Sequence, residues 1–324
     1  MSDLSEIYPE TGNAVPNAVT RWLQNPPPWR TLDAVPEHLW ADERPDQERI
    51  RWRKRGTDYV SAGHREVLAV NVSLMLRRPL LVKGKAGIGK STLAYRIAVA
   101  LGLGEPLRWE INSQSTLKDG LYRYDAVSHL RAIQQAKKGE TISVDRFIQL
   151  GPLGTALLPT KNPRVLLIDE IDKASFDLPN DLLHVFEEGS FVIDELKGEK
   201  AEPHHRVVPH DVRGPDDSVP VALDARVQTR HHPVVVMTSN GERTFPEAFM
   251  RRCVELELVA TPEHMRKIVS KQLGDVDSTV LEADLKRYGD LATDVLLQAL
   301  FLQSSFSQDG GEIEKILAKG RTKK

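Results

Sequence analysis

The chain has 324 residues, 40% of them apolar and 28% charged, with a formal net charge of -2; it can bury a substantial core and carry one or two accessory parts. That near-neutral balance gives no general reason to expect nucleic acid or an anionic membrane as a partner. The single cysteine, Cys253, excludes an intramolecular disulfide framework and a cysteine-based zinc cluster.

Residues 1–55 form an extension with a composition of its own. Prolines cluster there (Pro9, Pro16, Pro26, Pro27, Pro28, Pro36, Pro45), as do four of the five tryptophans: Trp22, Trp29, Trp40 and Trp52. Proline resists regular structure, whereas tryptophan needs a large area buried. An extended arm strapped over the core, with the tryptophans as anchors, is expected; a docking segment for a partner is the alternative. The basic run at residues 49–55 is short and isolated, which favours a solvated face or a contact on the ligand side over binding along a phosphate backbone. The first six residues lack a charged-then-apolar leader pattern and no apolar run reaches the length of a membrane span, so a cytoplasmic location is expected.

From residue 59 to 76 the pattern is helical, and Leu80-Leu81-Val82 then reads as a short buried strand. The octet Gly84-Lys85-Ala86-Gly87-Ile88-Gly89-Lys90-Ser91 follows, and Thr92 continues into an amphipathic helix. This strand, glycine loop and helix is the frame of a phosphate-binding P-loop. Its glycines let backbone N–H groups converge on a phosphate, and the helix dipole adds positive potential at the same point. Lys90 is placed to reach the β- and γ-phosphates and Ser91 to ligate Mg²⁺. A second strand is expected near residues 107–111, and alternating strands and helices of this kind argue for a parallel sheet covered on both faces.

Residues 112–162 hold no clean strand of a buried sheet. A turn or short hairpin is expected at Leu121-Tyr122-Arg123-Tyr124, a helix from 128 to 138, and a short helix from Gly151. Val165-Leu166-Leu167-Ile168 is apolar on both faces, as strands inside parallel sheets are, and ends in Asp169-Glu170. Carboxylates at such a tip face the crevice where ligands of these sheets lie. Asp169 suits Mg²⁺, and Glu170 suits orienting or deprotonating a water; an ordinary helix cap is the bland alternative. Beyond a helix at 178–188, the charged, proline-rich stretch 198–220 is expected to be a mobile loop. Its His204, His205 and His210 with Asp211 lack a rigid frame for a metal. Val234-Val235-Val236-Met237 repeats the buried-strand pattern and leads to Asn240, which is placed to contact the γ-phosphate or the water; a turn-forming Asn is the alternative. Arg251 and Arg252 precede a last strand at 254–258. Residues 261–324 read as a small helical lid, with helices at 263–273, 281–288 and 291–303, and a basic tail.

Taken in order, Gly84 to Ser91, Val165 to Glu170, Pro233 to Asn240 and Phe249 to Cys253 resemble the Walker A, Walker B, sensor 1 and arginine-finger segments of AAA+ ATPases. Gly151-Pro152-Leu153 and the helix-then-hairpin at 178–196 look most like the MoxR branch. The resemblance implies a P-loop NTPase three-layer α/β sandwich over residues 56–260, with a parallel sheet of order 5-1-4-3-2, followed by the lid. It also implies ATP and Mg²⁺ as ligands, with Gly84, Gly87, Ile88, Gly89, Lys90, Ser91 and Thr92 around the phosphates and Val60 against the adenine. Ser91 and Asp169 would hold the metal; Glu170, Asn240 and Arg252 would act in hydrolysis, with Arg251 as the alternate finger. A ring of copies, often a hexamer, remodelling partner proteins is implied, commonly with a von Willebrand A-domain partner. The lid segment 291–303 contains no arginine, so a sensor-2 residue has no clear counterpart.

Two other classes of activity compete with an ATP-driven remodeller. A nucleic-acid motor or loader of the same group is disfavoured by the charge balance and the lack of a recognisable DNA-binding module. A small-molecule P-loop kinase is disfavoured by Glu170 beside Asp169.

Overall fold

The computed structural model describes residues 7–14, 16–41, 50–199, 203–212, 217–259, 261–274 and 297–298. Within them, helix α1 (Pro16–Gln24) and helix α2 (Ile50–Thr57) belong to the proline-rich end, and α3 (His64–Leu76) leads into strand β1 (Leu80–Lys83). The P-loop helix α4 (Lys90–Leu101) and β2 (Leu107–Glu110) follow. An inserted region holds α5 (Leu117–Leu121), β3 (Tyr122–Tyr124), α6 (Ala126–Gln135), β4 (Ile148–Leu150) and α7 (Pro152–Ala156). Next come β5 (Val165–Asp169), α8 (Leu178–Glu188), β6 (Ser190–Val192), β7 (His205–Val207), β8 (Val219–Val221) and β9 (Arg226–Gln228). The described chain closes with β10 (Val234–Ser239), α9 (Glu247–Met250), β11 (Val254–Glu257) and α10 (Pro262–Leu273).

Five strands form one parallel sheet in the order β11-β1-β10-β5-β2. Counting only these five along the chain, that is the expected 5-1-4-3-2. Period-2 alternation sends successive side chains to opposite faces. Leu81, Leu166 and Ile168 therefore enter one core with Trp109, Leu153 and Leu182. Leu80, Val82, Val165 and Leu167 enter the other with Val70, Leu93 and Ile97 of α3 and α4. Two faces covered by helices explain why β5 and β10 are apolar up to their C-terminal tips. Helix α4 starts and stops on glycines: Gly89 has φ 96° and Gly102 has φ 66°. At Gly102 the left-handed turn lets the next amides cap the helix carbonyls.

The arm is more ordered than its prolines led us to expect. α1 begins at Pro16, the first helical position, where a missing N–H costs nothing. Trp22 and Trp52 are buried in the α3–α4 core, and the Trp22 indole donates to Leu74 O at 2.7 Å. Trp40 is half-buried under the Arg230 guanidinium, 3.3 Å from its ring centroid. Trp29 is 70% exposed and anchors nothing. Helix α2 spans the expected arm boundary at residue 55 and lies hard against α4, where a Cβ on Gly56 would stand 2.5 Å from Tyr95 O.

The stretch expected as a mobile loop contains a hairpin instead. β7 and β8 pair antiparallel, His205 with Val221 and Val207 with Val219, and all four are buried. Alternation of buried and outward residues, His205-Arg206-Val207 and Val219-Pro220-Val221, carries the pairing despite the surrounding charge. Of the lid, α10 and residues 297–298 fall within the described residues; the helix expected at 281–288, the rest of the one expected at 291–303, the sensor-2 question and the basic tail lie outside them.

Candidate functional site

The site forms where β1, β5 and β10 end side by side. β1 stops at Lys83 and the chain turns through Gly84, Gly87 and Gly89, with φ of 153°, 76° and 96°. Only glycine fits at the first: a Cβ on Gly84 would stand 2.7 Å from Leu258 O. Ile88 is buried beneath the loop. Lys90 is folded back on it, with Nζ donating to Gly84 O (2.8 Å), Lys85 O (2.8 Å) and Asn240 Oδ1 (2.7 Å). Burial lowers its pKa from the usual lysine value, and the carboxylates of Asp172, Asp169 and Glu170 oppose that shift.

Asp169 at the tip of β5 is the centre of the polar contacts. Its Oδ1 accepts from Ser91 Oγ at 2.7 Å and Thr238 Oγ1 at 2.6 Å, and its Oδ2 from Arg108 Nη2 at 2.8 Å. Burial alone would raise its pKa; the hydrogen bonds from Thr238, Ser91 and Arg108 outweigh that and hold it below the ordinary carboxylate value. It is ionised at neutral pH. A hydroxyl and a carboxylate oxygen brought within hydrogen-bond distance form the hard-oxygen pair that a hard divalent cation prefers. Ser91 and Asp169 therefore fit Mg²⁺.

Glu170 follows with φ 60°, a left-handed conformation uncommon for a non-glycine residue and found disproportionately at functional sites. Its amide donates to Thr238 Oγ1 at 2.9 Å, so one threonine hydroxyl ties β10 to both acidic residues. Glu170 Oε2 accepts from Lys173 Nζ at 2.6 Å and Oε1 from Asn240 Nδ2 at 3.4 Å. Asn240 is fixed in turn by Asp172, whose Oδ2 accepts from the amides of Asn240 (2.9 Å) and Glu242 (3.2 Å). A continuous chain of side chains thus runs Lys173–Glu170–Asn240–Lys90 and ends on the carbonyls of the P-loop.

Lys90, Ser91, Asp169, Glu170 and Asn240 are brought together as expected. Thr92 faces a neighbouring cleft of about 620 Å³ that is also lined by Arg51, Lys54 and Arg55 of α2, Tyr95 of α4 and Gln272 of α10. The basic run thus lines a cleft against α4 that takes in Thr92 and Tyr95. Val60 is half-buried, and its carbonyl contacts His264 Nε2 of α10 at 3.0 Å. Arg252 stands apart from the cluster: its Nε donates to Glu187 of α8 and its Nη1 to Ala248 O at 3.2 Å. Arg251 pairs with Glu247. Asp211 pairs with Arg164 at 2.9 Å, and His205 is buried within strand β7 of the hairpin. Among the described residues no group of three or more metal-ligating side chains gathers outside the P-loop site or within it.

Four site residues escaped sequence reasoning: Arg108, Thr238, Asp172 and Lys173. Arg108 is reached only through strand order, because β2 pairs beside β5 with Glu110 opposite Asp169. Thr238 left a signal, a hydroxyl closing a buried apolar run; so did Asp172, a third acid two residues beyond Glu170.

A family profile described as AAA domain (dynein-related subfamily) matches residues 79–253, more than half of the chain. The chain belongs to this AAA family. The matched span starts at the entry to β1 and ends at Cys253, so it takes in the P-loop, the β5 and β10 tips and the segment carrying Arg252. No curated protein matches the chain. As an AAA domain protein it has the nucleotide-binding P-loop α/β fold of the AAA+ ATPases. No helix among the described residues is long and apolar enough to cross a membrane.

Proposed function

We propose that this AAA domain protein hydrolyses ATP with Mg²⁺, works as a ring of copies (a hexamer on the usual plan), and spends the cycle on remodelling a partner protein in the manner of MoxR-like ATPases. The observation that carries the reading is the convergence of Lys90, Ser91, Asp169, Glu170 and Asn240 at adjoining strand tips, through contacts of 2.7–3.4 Å. Glu170 directly beside Asp169, with an arginine before the last strand, favours hydrolysis over transfer to another acceptor.

In this reading the P-loop amides and Lys90 bind the β- and γ-phosphates, for which Lys90 leaves the carbonyls of Gly84 and Lys85. Ser91 and Asp169 hold Mg²⁺, which when bound neutralises charge on the phosphate oxygens. Asn240 orients the attacking water against the γ-phosphorus and Glu170 takes its proton through Oε1, while the bond from the γ-phosphorus to the β–γ bridging oxygen breaks and ADP leaves with that oxygen. Asn240 can do so because nucleotide draws away Lys90, its present partner. Arg252 acts on the nucleotide of the adjacent copy; its pairing with Glu187 on the exposed end of α8 holds the guanidinium at the surface. A von Willebrand A-domain protein in the cytoplasm is the expected partner, and Val60 is assigned to the adenine.

The ring is tested by mixing. Lys90→Ala and Arg252→Ala proteins are each expected to be inactive, since a finger contributes about 10³-fold or more. Random mixing should complete about a quarter of the intersubunit sites and restore that share of phosphate release. Mixtures as inactive as their components would remove Arg252 from the neighbour's site.

A further inference from the structure

The amino-terminal arm has no part in the chemistry above, yet its first described residues end on the P-loop machinery. Tyr8 is fully buried, and its hydroxyl donates to Glu66 Oε1 at 2.9 Å. Glu66, 1% exposed in α3, accepts through Oε2 from Tyr59 Oη (2.8 Å) and the Ala62 amide (2.8 Å). The Tyr8 backbone is pinned on both sides by Asn71, with N–H to Oδ1 at 3.0 Å and Nδ2 to the carbonyl at 2.9 Å. Arg96 of α4 sits 5.6 Å from the Tyr8 ring centroid and donates to Gly12 O at 2.7 Å. Burial, then the Glu66 charge, push both phenols well above the usual tyrosine range, so both stay protonated and donate.

Tyr59 is the outlet of this network. Its ring carbon Cε2 stands 3.6 Å from the point where a Cβ of Gly89 would be, so the ring faces the open side of the last glycine of the loop. Gly89, at φ 96°, is the residue whose freedom decides how the amides at the start of α4 are aimed. On its other side, the segment containing Tyr59 is gripped by α10: Lys271 Nζ donates to Thr57 O (2.7 Å) and Tyr59 O (3.2 Å), and His264 contacts Val60 O.

We propose that Tyr59 is a nucleotide-positioning residue that fixes the Gly89 turn, and that the arm, through Tyr8 on the shared Glu66 carboxylate, holds Tyr59 in place. The inference rests on the reading of Gly84 to Ser91 as a triphosphate loop. A loop held in its binding shape before the ligand arrives loses less entropy on binding, so the arm raises affinity without touching the nucleotide. Removing either hydroxyl leaves a buried carboxylate short of a donor and loosens the other tyrosine.

The test uses the full chain and a fluorescent, ribose-labelled ATP with Mg²⁺ as probe. Tyr59→Ala is expected to raise its Kd about tenfold and Tyr8→Phe about threefold, with kcat at saturating ATP within about twofold of wild type. Tyr8→Phe should add nothing in the Tyr59→Ala background, because both act through one carboxylate. Should Tyr59→Ala not fold, Tyr59→Phe keeps the ring and loses the Glu66 bond, and should match Tyr8→Phe. A purely structural arm predicts the opposite split, a lower melting temperature of the ligand-free protein with Kd unmoved, and that result overturns the proposal. Lys90→Ala separates the two readings. If it abolishes probe binding while the tyrosine variants bind as wild type, only the arm's role fails; if wild type itself does not bind, the loop reading fails first.

Discussion

Glu170→Gln is expected to reduce ATP turnover by about a hundredfold or more, the range for a lost general base, while leaving nucleotide affinity near that of wild type. The amide is the same size and keeps an oxygen for Asn240 Nδ2, which lies 3.4 Å from Oε1. What it loses is the proton-accepting charge and the ion pair to Lys173. Because the P-loop, Lys90 and Asp169 are untouched, the loss belongs in kcat rather than in binding. The check is steady-state phosphate release alongside a binding titration. Turnover unchanged in Glu170→Gln would take away the hydrolytic assignment and leave phosphoryl transfer in its place.

The largest expected effect on stability comes from a single added methyl. Gly154→Ala should cost about 3 kcal/mol, the upper end for overpacking a core, because its Cβ would stand 2.0 Å from Leu121 O. Leu121 O is backbone and cannot give way as the end of a flexible side chain would, and the Phe191 ring closes in at 3.2 Å. Two neighbours share this tightness: a Cβ on Gly151 would lie 2.3 Å from Gly120 O, and one on Gly120 would lie 2.4 Å from the Trp109 ring. The three glycines let α5, α7 and the end of β2 close over the Walker B side of the sheet. Gly151-Pro152-Leu153-Gly154 is thereby explained as packing, whichever branch of AAA proteins it resembles. Chemical denaturation measures the loss, and a change within about 0.5 kcal/mol, typical of a neutral surface site, would contradict this account of the α5–α7 contact.

What could be read in the amino-acid sequence was local and repetitive. Runs of four apolar residues announce strands buried on both faces of a parallel sheet, and the P-loop octet sets its own ligand. The strand order followed from the family resemblance, and the structure reproduces it. Contacts between distant strands were harder to read. Arg108 becomes a partner of Asp169 only once β2 is known to lie beside β5, and Thr238 binds both acidic residues only because β10 lies on the other side. The β7–β8 hairpin was masked by charge and proline, although two alternating triplets carried it. The arm misled in the opposite direction: proline content argued against helices, but Pro16 starts one, and burial of Trp22 and Trp52 holds two of them on the core.

The most direct measurement of the central claim is phosphate release from ATP by the purified chain, with and without Mg²⁺, beside Lys90→Ala. The site described here predicts Mg²⁺-dependent release in wild type. In the variant it predicts loss of nearly all of it, because Lys90 is the cation held at the mouth of the loop by Gly84, Lys85 and Asn240. Equal release by the two proteins would contradict it.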